Sequence, residues 1–84
     1  MKFLVKISVM PHSALLDPQG QAVASRLAKQ LPVPVLGMRI GKEIQMELEA
    51  GSEAEAREHA EWAAQNMLAN PVMEVFEIVD IKSV

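Results

Sequence analysis

Two stretches of this chain alternate apolar and polar side chains so regularly that they limit its fold more than anything else in the sequence. At 2–9, Phe3, Val5, Ile7 and Val9 alternate with Lys2, Leu4, Lys6 and Ser8; at 43–49, Ile44, Met46 and Leu48 alternate with Glu43, Gln45, Glu47 and Glu49. A repeat of two places successive side chains on opposite faces of a strand. The chain is therefore built on a half-buried β-sheet.

Between these strands, Asp17-Pro18 supplies an N-cap oxygen followed by a first-turn proline, whose fixed φ suits that position and whose missing N–H is not needed there. A helix is expected over 19–31, with Gly20, Val23, Ala24, Leu27, Ala28 and Leu31 on one face. Pro32 and Pro34 end it. Residues 35–40 read as another strand, joined to 43–49 in a tight hairpin at Gly41-Lys42. Ser52 and Glu55 then form a capping-box pattern, whose serine alone is worth about 1 kcal/mol. The second helix starts at Glu53, with an apolar face of Ala56, Ala60, Ala63, Ala64, Met67 and Leu68, and Asn70-Pro71 stops it. A last strand over 72–81 divides Val75, Val79 and Ile81 from Phe76 and Ile78.

The order β-α-β-β-α-β, with right-handed crossovers, gives an α+β domain: a ferredoxin-like antiparallel sheet, or a close variant, carrying two helices on one face. Its 84 residues allow one domain, 1–84, and one modest core. The open sheet face would collect Leu4, Val33, Val35, Val75, Val79 and Ile81, an apolar patch that predicts self-association.

Composition narrows the functions. The net charge is -3 and the eight Lys and Arg form no runs, which argues against nucleic acid. With no Cys, disulfides, thiolate metal sites and thiol nucleophiles are excluded. Lys2 and Lys6 interrupt an N-terminal stretch too short for a signal peptide or membrane span, so no membrane association and a cytoplasmic location are expected.

Catalytic chemistry finds little support. His12 and His59 have no partners at metal-ligand spacing and read as surface residues. Glu53, Glu55, Glu58 and Glu61 form a solvated helix face. Gly37, Gly41 and Gly51 lack the spacing of a phosphate-binding loop, and no serine sits in a nucleophile elbow. No catalytic, cofactor-binding or metal-binding residue is assigned. Arg39 and Lys42 flank a turn and could offer positive charge to an anion or an acidic partner loop. Trp62, the single Trp, lies on the shoulder of the second helix, either partly buried or as an interface anchor.

Three motifs taken together resemble the PurS family: Leu16-Asp17-Pro18-Gln19-Gly20; Arg39-Ile40-Gly41-Lys42 with Ile44; and Leu68-Ala69-Asn70-Pro71-Val72 with Glu74, Phe76, Glu77 and Ile78. They recur in order through nearly the whole chain. The resemblance implies the small, non-catalytic subunit of phosphoribosylformylglycinamidine (FGAM) synthase, a glutamine-hydrolysing, ATP-dependent ligase of purine biosynthesis. In that family PurQ hydrolyses glutamine, PurL binds ATP and activates the amide, and PurS bridges the two and helps ammonia pass. The complex would use ATP and Mg, with no cofactor bound by this chain. PurL-like and PurQ-like subunits and further copies of the chain are the expected partners, with Arg39, Lys42, Trp62 and Asn70 as candidate contacts. The chain departs from the family at Pro11-His12-Ser13-Ala14, where a Lys-Pro-Gly type turn is usual, and at Phe76, which replaces a frequent Tyr.

Each motif also has a purely structural explanation: a helix cap, a turn and a helix stop. A ligand-sensing dimeric module of the ACT type shares the order of elements and remains open. A stand-alone plait enzyme of the acylphosphatase type is disfavoured, since 10–17 contains no Arg, and an RNA-binding plait lacks stacking aromatics.

Overall fold

The computed structural model describes residues 1–84. Strand β1 (Lys2–Pro11) is central in a three-stranded antiparallel sheet of order β2-β1-β3, flanked by β2 (Lys42–Glu49) and β3 (Glu74–Ser83). Helix α1 (Pro18–Ala28) lies between β1 and β2, and α2 (Glu53–Ala63) leads into a π-helical turn, Ala64–Leu68, before β3. The expected α+β class with an antiparallel sheet and two helices is what forms.

The core follows from the alternation. Phe3, Val5, Ile7 and Val9 are buried beneath α2 and the π-helical turn that follows it, which contribute Ala56, Ala60 and Ala64, and Ile44, Met46, Leu48, Phe76, Ile78 and Ile81 pack around them. Alanines let the helix backbone lie close to the sheet, so core packing is tight but shallow. The Ser52 cap forms as expected, with Oγ accepting from the Glu55 N–H at 3.2 Å, while Glu55 reaches past Ser52 to accept from the Gly51 N–H at 3.1 Å.

Three sequence expectations change. The first concerns β3. Ile7 pairs with Ile78 and Lys6 with Asp80, so Val79 is the extra residue of a β-bulge. The bulge resets the alternation and brings Ile81 opposite Val5, on the same face as Phe76 and Ile78. Ile81 is thus a core residue.

The second concerns the open face. Cross-strand pairing groups Leu4 with Glu47 and Lys82, Lys6 with Gln45 and Asp80, and Ser8 with Glu43 and Glu77. That face is therefore largely charged, with Leu4 towards one end and the Met10–Val75 pair at the other, and the continuous apolar patch expected there does not form.

The third concerns 35–40. No strand forms there, and Gly41-Lys42 is not a hairpin turn. A two-residue hairpin needs positive φ, and no residue in the chain has it. Instead 29–33 turns and bends after α1 and 34–41 runs on to β2 without regular secondary structure, with Leu31, Val33 and Leu36 exposed and Leu36 97% accessible. Helix α2 covers the sheet, whereas α1 makes few contacts with the strands and is followed by the irregular segment 29–41. Together they form an arm. The radius of gyration is 16.2 Å, against about 12 Å for a compact domain of this length. The accessible surface is 6036 Å², roughly a fifth more than a globular monomer of this mass exposes.

Candidate functional site

No polar or charged side chain is buried, and no three His, Asp or Glu side chains converge in a way that could hold a metal ion. What the fold assembles is a surface at one end of the sheet, where β1 leaves and β2 and β3 begin. Lys42 pairs there with Val9, and Glu74 with Pro11. Of the four candidate contact residues, Arg39, Lys42 and Asn70 gather at this end on either side of β1, whereas Trp62 lies on α2 away from them. All four are exposed.

On the β2 side, Asp17 organises the arm. One carboxylate oxygen accepts from the Gly20 N–H at 2.9 Å, capping α1, and the other accepts from the Ile40 N–H at 2.9 Å. These hydrogen bonds, Gly20 first and then Ile40, hold the Asp17 carboxyl below its usual pKa, with the Arg39 charge a lesser help and burial opposing. Gly20 is needed for this closeness, since a Cβ there would sit 2.6 Å from the Met38 carbonyl oxygen. Gly41 is needed likewise, because its Cβ would collide with the Val9 carbonyl and the Met10 sulfur. The motif glycines therefore seat the arm against the end of β1.

On the β3 side, α2 ends in an unusual way. The buried positions run Ala56, Ala60, Ala64 and Ala69, so the last step is one residue longer than a helical turn. Its bond is Ala69 N–H to Ala64 O at 2.9 Å, while the Asn66 side chain donates to the Trp62 carbonyl at 2.8 Å. Such π-turns often occur at functional sites. The phase change turns Met67 outward to 77% exposure, although the sequence placed it on the apolar face. Trp62 is 61% exposed, so most of its indole lies at the surface and not in the core.

Asn70 stops the helix by accepting from the Val72 N–H at 3.0 Å through its side chain and from the Met73 and Glu74 N–H groups through its carbonyl. Glu74 returns one bond, its Oε1 accepting from the Asn70 N–H at 2.8 Å. The atypical turn after β1 is tied to this loop, with the His12 N–H donating to the Met73 carbonyl at 2.8 Å. The Asn70–Glu74 ridge separates two clefts. One, of about 320 Å³, is lined by Gln65, Ala69, Pro71, Glu74, Val75 and Phe76. The other, of about 290 Å³, runs along Leu15, Leu16 and Met73. Among the residues that line them, Leu15, Leu16, Met73 and Val75 are exposed. Exposed apolar residues around concave pockets are the anatomy of a protein-binding surface. Gln65 was not singled out from sequence; its only signal is its position one turn before a helix stop.

The model of the PurS family of phosphoribosylformylglycinamidine (FGAM) synthase matches residues 4–81. The PurS subunit of phosphoribosylformylglycinamidine synthase from Thermotoga maritima is 33% identical over 79 residues, covering 94% of this chain and 96% of its own length. Among solved structures, Thermus thermophilus PurS superposes with a TM-score of 0.87 at 34% identity, covering 100% of this chain and 99% of that one. A chain of PurLQS from Thermotoga maritima superposes with a TM-score of 0.85 at 31% identity, again covering 100% and 99%.

Proposed function

The chain belongs to the PurS family, and on that premise we propose that it is the non-catalytic small subunit of FGAM synthase, bridging a PurL-like synthetase and a PurQ-like glutaminase and supporting ammonia transfer between them. The observation that carries this reading is the full-length superposition on a chain of PurLQS. It is supported by a surface with docking anatomy at one end of the sheet and by a chain that buries no polar or charged side chain. A bridge works through faces rather than reacting side chains. On this reading the complex uses ATP and Mg, none of it bound by this chain, and works in the cytoplasm. No helix here is long and apolar enough to cross a membrane.

Arg39 and Lys42 on one flank of β1, Asn70 on the other, and Trp62 on α2 are the proposed contacts. A second copy of the chain covers the arm: its surplus surface and its exposed segment 29–41, which pairs with no strand, are what an intermolecular strand or helix contact would bury.

The test is glutamine-dependent FGAM formation by PurL-like and PurQ-like subunits from the same source, with and without this chain, alongside the ammonia-dependent reaction. The bridging role predicts that only the glutamine reaction depends strongly on this chain. Equal glutamine-dependent rates in its presence and absence would refute it.

A further inference from the structure

The cleft between the π-turn and the start of β3 has a chemical character that the bridging role alone does not specify. Its floor is Ala69, and Phe76 and Pro71 supply apolar walls. Two polar groups face it with bonding capacity to spare. Glu74 uses Oε1 to accept from the Asn70 N–H, leaving Oε2 without a partner. The Gln65 side chain makes no hydrogen bond within the chain, although it lines the same cleft. The chain's single ion pair is His59 with Glu55 at 3.8 Å, on α2, so no cation of the chain itself neutralises Glu74.

We propose that this cleft receives an arginine side chain from a partner subunit, a proposal that rests on the bridging role above. A guanidinium fits each part of the site. Its planar fork can donate both to the free Glu74 oxygen and to the Gln65 carbonyl. Its weakly hydrated face can lie against the Phe76 ring, and its methylenes against Pro71. Lysine offers a point charge without the plane and would use only the carboxylate. A volume of about 320 Å³ accommodates one long side chain with room to spare. The exposed Val75 in the lining, with Val72 next to Pro71 in the chain, supplies apolar surface beside such an anchor. The π-turn has a purpose in this arrangement: its added residue carries Gln65 and Ala69 to the lip and floor of the cleft.

Glu74→Gln is the discriminating variant. It keeps a carbonyl oxygen to accept from the Asn70 N–H, so the free chain should melt within a few degrees of wild type, while the charge is lost. Affinity for the PurL-like and PurQ-like subunits, measured by interferometry, should fall about 10- to 100-fold, with a shallower salt dependence. Independently of assembly, NMR of the isolated chain should show the Gln65 side-chain amide and the Phe76 ring shifting with N-acetyl-arginine amide and not with its neutral isostere, N-acetyl-citrulline amide. If wild type fails to assemble but the arginine probe is still selected over citrulline, the cleft stands and the subunit reading falls. If Glu74→Gln assembles as tightly as wild type, or the two probes shift the resonances alike, the cleft is not an arginine site.

Discussion

The sheet with α2 and the arm made of α1 and residues 29–41 use similar side chains to opposite ends. In the body, aliphatic residues at every second position of β1 meet alanines at helical spacing on α2, and Val5, Ile7, Val9, Ala56, Ala60 and Ala64 have no accessible surface. In the arm, Leu31, Val33 and Leu36 are exposed, and among α1 residues only Gly20 is buried. The body is held by apolar burial. The arm is held by the two-pronged Asp17 hydrogen bond and by glycines that permit close approach. The body is thus complete within one chain, whereas the arm awaits something to cover it.

The largest expected difference is between truncations in the two regions. Ile7→Ala leaves a cavity under α2 and should lower stability by about 2–5 kcal/mol in urea denaturation. Leu36→Ala in a dilute, single-copy sample should change it by less than about 0.5 kcal/mol. Repeating the Leu36→Ala measurement at rising protein concentration sharpens the comparison. A penalty that grows with concentration means a second copy buries the arm; one already large at the lowest concentration means the arm packs within its own chain.

How far the sequence could be read follows the same division. β1, α2, both helix caps and the Asn70-Pro71 stop rest on neighbours within a few residues, and the pattern contains all the information needed. The strand expected at 35–40 has suitable β-branched and apolar residues, but a strand exists only against a partner edge, which local pattern cannot supply. Ile81 was assigned to the wrong face because a single bulged residue at Val79 inverts everything after it. For the site, Asn70, Arg39 and Lys42 were legible as motif residues. The cleft was not, since Gln65 and Glu74 line it together across a π-turn that shifts the end of α2 by one position.

Two glycines test the seam between body and arm. Gly41→Ala would drive a Cβ into the Val9 carbonyl and the Met10 sulfur and should cost about 1–3 kcal/mol. Gly37→Ala meets open space and no residue has positive φ, so it should be neutral or stabilise by up to about 1 kcal/mol through the unfolded chain. Equal effects at the two positions would mean that the arm is not seated against β1. A smaller loss, about 1 kcal/mol, is expected for Ser52→Ala, which removes the cap of α2 and should lower the stability of the whole body because α2 is its cover.

The most delicate difference is in pH response, and it belongs to the arm. Asp17 has a folded-state pKa lowered from 3.8 by its bonds to the Gly20 and Ile40 N–H groups. A group depressed in this way stabilises the folded arrangement fully above its unfolded pKa and loses that contribution as pH falls through the lower, folded value. Acid should therefore release the Asp17 clasp while the body, with no buried charge, keeps its packing. In NMR, the Gly20 and Ile40 amide protons should titrate together with a midpoint below 3.8, and the β1 amides should not follow them. Asp17→Asn should abolish that shared titration and leave the chain less pH-sensitive. Separate midpoints for the two amides would mean that the carboxylate does not bridge them, and the arm would then need another tether to hold 29–41 beside α1.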